Sequence, residues 1–124
     1  KYSACVLLLD TSTPDDIGSS TELDRFLAAS RIDINGPLPF VGETRESGPS
    51  YDKGWKEISK TWVTLNTSEQ VVAATLETAW NTPNSTIEGY ETVGQQLGLA
   101  IHRYLQVEAD ESTQQELKPG QRNR

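Results

Sequence analysis

Methionine is missing from this chain of 124 residues, cysteine and histidine occur once each, and phenylalanine twice. Cys5 therefore has no partner for an internal disulfide, and its place in an apolar run predicts a buried thiol without a redox role. His102 has no second histidine or cysteine at metal-ligand spacing, which leaves no zinc pattern. Long hydrophobic runs are lacking too. The longest, Ala4 to Leu9, falls far short of the roughly 20 residues of a membrane helix, so the chain reads as soluble with no membrane partner. Positive charge is scarce: 11 Lys and Arg against 18 Asp and Glu give a net charge of -7, which opposes binding to nucleic acid. No phosphate-binding Walker loop, dinucleotide fingerprint or Gly-x-Ser-x-Gly nucleophile motif occurs, and no cofactor is expected. No internal repeat of solenoid period is present.

What the chain does contain is enough apolar patterning for one core, and its length suits one domain. Cys5-Val6-Leu7-Leu8-Leu9, ended by Asp10-Thr11-Ser12-Thr13-Pro14, is the pattern of a central strand buried on both faces. Ser19 with Glu22 forms a capping box for a helix carrying Leu23, Phe26 and Leu27, expected to end near Ser30. Ile32 and Ile34 alternate with Asp33 and Asn35, which predicts a half-buried strand before Gly36-Pro37. Leu38 to Val41, between two prolines and a glycine, reads as an edge or extended connection, and Gly42 to Ser50 as an exposed loop.

Tyr51, Trp55, Ile58, Trp62 and Leu65 recur at helical spacing, yet Thr61-Trp62-Val63-Thr64-Leu65 is rich in β-formers. The expectation is a helix from Ser50 to about Ser59, then a strand to Leu65. Thr67-Ser68-Glu69-Gln70 repeats the capping-box pattern before Val72, Ala73, Leu76 and Trp80, which predicts a third helix ending ahead of Pro83. The clearest periodicity follows: Tyr90, Val93, Leu97, Ile101 and Tyr104 keep one helix face apolar, widened by Ala100 and Leu105. Residues 108–124 hold one large aliphatic, Leu117, and read as a polar tail to a single globular domain spanning residues 1–107. The fold class expected is α+β or α/β, with a small mixed sheet covered by three or four helices.

The corner Asp10-Thr11-Ser12, with Asp15 and Asp16 close behind, is the one place where an apolar strand ends in clustered polar groups. It resembles the Asp-x-Ser-x-Ser pattern of adhesion-type metal domains over five residues, with Pro14 where the last serine belongs. Leu8-Leu9-Asp10-Thr11 is similar to the strand end of retroviral-type aspartic proteases, with Ser12 in place of glycine. Sugar-kinase-like ATPases open on a similar strand end, but their two lobes need far more chain. The reading adopted is that Asp10, Thr11 and Ser12 end a strand through turn and side-chain bonds.

Gly94, Gly98 and His102 follow one another by four residues and share a helix face. Such a face either receives a ligand beside the imidazole or lets another backbone pack closely, and close packing is the expectation. Lys53, Lys56 and Lys60 would form a stripe beside Trp55, read as a solvated helix face. Trp55 and Trp62 read as core or interface aromatics. Asn66-Thr67-Ser68 and Asn84-Ser85-Thr86 match the glycosylation pattern, a short motif of little specificity.

Good core patterning without a catalytic or cofactor signature points to a non-enzymatic protein-interaction or assembly subunit. Its partner would be another protein or a second copy, with Gly94, Gly98, His102, Trp55 and Trp62 as binding residues and no catalytic or metal-binding residue. The alternatives are a small hydrolase or metal-assisted enzyme centred on Asp10, helped by Ser12, Asp15, Asp16 or His102, and a small-ligand module using the aromatic residues.

Overall fold

The apolar run at Cys5–Leu9 becomes β1, the middle strand of three in the order β2-β1-β3. These positions come from a computed structural model that describes residues 5–9, 21–46 and 48–116. The Asp10 corner with Thr11, Ser12, Asp15 and Asp16, the Ser19 cap and the last residues of the chain lie outside the described residues. The chain is a mixed α and β protein, with elements β1, α1 (Thr21–Asp33), β2 (Phe40–Glu46), α2 (Ser59–Asn66), β3 (Thr75–Glu77) and α3 (Ile87–Glu116).

Helix α1 runs past the expected end at Ser30, and the strand expected at Ile32 and Ile34 does not form. The Ile34 amide donates to the Ser30 carbonyl at 2.9 Å, so the helical bond pattern reaches Ile34. Leu23, Leu27, Ser30 and Ile34 are spaced by four, three and four residues, a helical face that outweighs two alternating isoleucines. Ile34 is accordingly fully buried while Ile32 is exposed. The Asn35 side chain donates to the Ile32 carbonyl and covers one of the acceptors left over at the helix end.

The loop expected from Gly42 is instead the body of β2, an edge strand parallel to β1. Cys5 pairs with Phe40 and Leu7 with Thr44, so β2 accommodates extra residues opposite Val6. Gly42 sits at that irregularity with φ of 93°, a conformation that side chains with a Cβ rarely adopt. Val41 to Arg45 are all exposed, which explains why this edge strand reads as loop in the sequence.

Neither the helix nor the strand expected over residues 50–65 forms where expected. Turns and a short 3₁₀ segment, Trp55–Glu57, precede α2, which takes in the Thr61 to Leu65 stretch. The Asp52 carboxylate accepts from the Gly54 amide at 2.7 Å, a local turn that competes with helix there. Thr64 and Asn66 of α2, and Thr67 just past its end, donate to the carbonyls of Lys60, Trp62 and Val63, so their polar groups are satisfied without leaving the helical path. Its buried members are Lys60 and Thr61, whereas Trp62 is 57% exposed.

The third helix expected from Ser68 to Trp80 is absent. A turn closed by the Val71 amide on the Ser68 carbonyl leads into β3, antiparallel to β1 with Leu76 opposite Leu7. Val71, Val72 and Thr75 are β-branched and stiff at χ1, and pairing with β1 decides the outcome.

The expected long helix is present as α3, which starts on a Thr86 cap whose hydroxyl accepts from the Gly89 amide at 3.0 Å. It continues beyond Val107 to Glu116. Ile34, Leu38, Phe40, Ala79 and Val93 form the buried core, with Leu23, Phe26, Leu27, Ala74, Leu76 and Leu97 packed against it. The turn after α1 is held to α3 by Gln96, which accepts from the Gly36 amide and donates to the Asn35 side chain. The bidentate pair of Arg103 with Asp33 closes the same junction.

Candidate functional site

Helix α3 carries more apolar residues than its neighbours cover. Val93 and Ala100 are buried and Leu97 and Tyr104 half-buried, but Ile101 is 43% exposed and Leu105 53%. The uncovered part of the stripe faces an open groove of about 600 Å³. Leu97, Ile101, Tyr104 and Leu105 supply the α3 wall, Phe26 of α1 the floor beside it, and Gln70, Val71, Val72, Ala74 and Leu76 the opposite wall. The opposite wall exists because the segment before β3 is a turn and irregular chain and not a helix.

One end of the groove is polar. The Tyr104 hydroxyl donates to Glu22 Oε2 at 2.7 Å, while Glu22 Oε1 accepts from Arg25 at 3.0 Å. The Arg25 guanidinium lies 5.6 Å from the centre of the Tyr104 ring, and Phe26 meets that ring edge-on with centroids 5.9 Å apart. This cluster fixes the Tyr104 ring and therefore the shape of the groove wall. The lining is mostly apolar, with Gln70 and Tyr104 as its polar members.

The residues singled out from sequence do not form this site. Gly94 and Gly98 share the expected helix face with His102, but all three are exposed, and a Cβ on either glycine would have none of the described residues within 4 Å. Among the described residues, nothing packs against these glycines. Trp55 is half-buried, with the Lys56 ammonium 5.5 Å from its ring centre, and Trp62 is largely exposed; neither lines the groove. The lysine stripe is broken, since Lys53 and Lys56 are exposed and Lys60 is 5% exposed. Among the described residues no group of three or more His, Cys, Asp or Glu is placed to hold a metal ion. No helix among them is long and apolar enough to cross a membrane.

Sequence reasoning did name Leu97, Ile101, Tyr104 and Leu105, but as core. It had no signal for Val71 to Ala74 as the facing wall. No family model, curated protein or solved structure matches the chain.

Proposed function

We propose that this chain is a non-enzymatic protein-interaction module and that the groove between α3, α1 and the Gln70 to Leu76 segment is its binding site. The supporting observation is the groove itself: Ile101, Leu105 and Val71 stay about half exposed beside a packed core, an apolar opening that water solvates poorly. Residues 1–107 would form the domain, with the three strands covered by α1 and α3 as the support on which the groove is built, and residues 108–124 would stay outside its core.

Its volume also falls in the range of small-molecule pockets, about 300–1,000 Å³. The half-exposed rim favours a larger partner that covers Val71, Ile101 and Leu105 together. Of the aromatic residues invoked for the small-ligand reading, Trp55 and Trp62 lie outside the groove, while Phe26 and Tyr104 line it. For an enzyme centred on Asp10, the helper His102 points to solvent and takes no part in the groove lining.

The test is site-specific photo-crosslinking in the source cells, with a photoreactive phenylalanine analogue at Ile101, Leu105 or the distant, exposed Lys53. One partner protein captured from both positions 101 and 105 and missing from position 53 supports the module. Equal capture from all three positions, or no protein adduct from 101 and 105, sinks it.

A further inference from the structure

The groove has a direction of charge as well as a shape. Residues 21–33, 69–77 and 87–106, which supply its walls, carry seven acids and three arginines. Two of those arginines are engaged: Arg25 on Glu22 at 3.0 Å, and Arg103 on both oxygens of Asp33 at 2.7 and 3.0 Å. The third, Arg31, runs alongside Gly42 of β2. Glu69, next to the lining residue Gln70, has no ion-pair partner among the described residues. The same holds for Glu88 and Glu91 on α3.

We propose that the partner presents a basic amphipathic helix, whose apolar face fills the groove while its Lys or Arg residues meet Glu69 and the acidic flank of α3. This rests on reading the groove as a protein-interaction site. The α3 wall repeats at helical steps from Leu97 through Ile101 to Leu105, about 12 Å of rise, which matches the i, i+4 and i+7 anchors of a helix laid alongside. A second copy fits less well, because each brings the same net charge of -7.

The test titrates the whole chain into three fluorescein-labelled peptides of about 18 residues, ~27 Å as a helix. The first is Leu/Lys with all leucines on one face, the second Leu/Glu with the same apolar face, and the third the Leu/Lys composition scrambled so that no apolar face forms. Fluorescence anisotropy is read at low and high salt, on the parent chain and on Ile101→Asp and Leu105→Ser. Both positions are about half exposed, and circular dichroism checks that the variants fold.

The proposal expects the Leu/Lys peptide to bind about tenfold or more tighter than either control, an advantage over Leu/Glu that shrinks with salt as the charges are screened. Both variants should lose about tenfold. Ile101→Asp adds negative charge, so its loss of a basic peptide reports the groove and not attraction in general. Equal binding of Leu/Lys and Leu/Glu, lost in the variants, keeps the groove and overturns the basic partner. Equal binding of Leu/Lys and its scramble, untouched by the variants, overturns both, as does no binding at all. A dimer in sedimentation that Ile101→Asp makes monomeric assigns the groove to a second copy and also overturns the proposal.

Discussion

Arg103 grips both carboxylate oxygens of Asp33, at 2.7 and 3.0 Å, and so joins the last turn of α1 to the middle of α3. The hydrogen bond from Arg103 holds the Asp33 carboxyl below its ordinary 3.8, helped by the guanidinium charge and opposed by partial desolvation. A carboxylate with a lowered folded-state pKa stabilises the fold above its unfolded pKa. That contribution is lost as pH falls through the folded value. Asp33→Asn should therefore melt below the parent chain at neutral pH, with the gap closing only in acid, below the usual carboxylate range. Thermal unfolding of both chains from neutrality down to about pH 2 tests this, and a gap independent of pH would assign the loss to shape and not to charge.

The helical glycines divide into two kinds. A Cβ on Gly94 or Gly98 would meet none of the described residues within 4 Å, whereas one on Gly89 would run into the backbone carbonyl of Asn84. Alanine at Gly94 or Gly98 should stabilise the isolated chain by up to about 1 kcal/mol each, the difference in helix propensity. Gly89→Ala should destabilise it by roughly 1–3 kcal/mol through overlap. Denaturant midpoints of the three variants are the measurement, and a loss of stability at Gly98 would restore the close-packing reading of that face.

Among the described residues Phe40 is the largest fully buried side chain, and it opens β2 beside Ile34, Leu38 and Ala79. Its amide donates to the Ile34 carbonyl at 2.8 Å, so the turn after α1 and the start of β2 depend on the same position. Phe40→Ala should cost about 3–5 kcal/mol, the range for deleting a buried aromatic. For so small a domain that would be a large part of total stability. A loss below about 1 kcal/mol in urea unfolding would mean that the cavity collapses.

Legibility in the sequence followed the strength of the local pattern. Cys5–Leu9 and the Tyr90 to Leu105 stripe were readable because a continuous apolar run and a sustained helical period are strong local signals. Gly42 to Glu46 was misread because an exposed edge strand keeps polar residues, and only its partner β1 marks it as a strand. Val71 to Leu76 was misread for a related reason. A capping-box pattern and four apolar residues at helical steps competed with three β-branched residues, and the antiparallel pairing that decided it is non-local. Half of the groove was thus visible, as the apolar stripe on α3. Which members of that stripe stay uncovered depends on how far α1 and β3 extend, and no local pattern encodes that.

Tyr104 is the side chain through which the groove wall and the fold are coupled. Its hydroxyl donates to Glu22 at 2.7 Å, while its ring meets Phe26 and lies under the Arg25 guanidinium. Tyr104→Phe removes the hydroxyl alone. A bond to a charged group contributes about 1.5–3 kcal/mol when buried, and partial exposure here reduces the expected loss to about 1 kcal/mol. Tyr104→Ala also removes the edge-to-face contact and should cost about 2–3 kcal/mol, below the value for a fully buried aromatic. If the ring also shapes the binding surface, Tyr104→Phe should leave affinity for a groove-binding peptide within about twofold, a difference of ~0.4 kcal/mol. Tyr104→Ala should weaken it by more than the loss of stability alone explains. Urea unfolding and peptide titration on the same samples separate the two effects. Equal affinity for the Phe and Ala variants, at concentrations where both are folded, would show that the ring supports the fold without forming part of the binding wall.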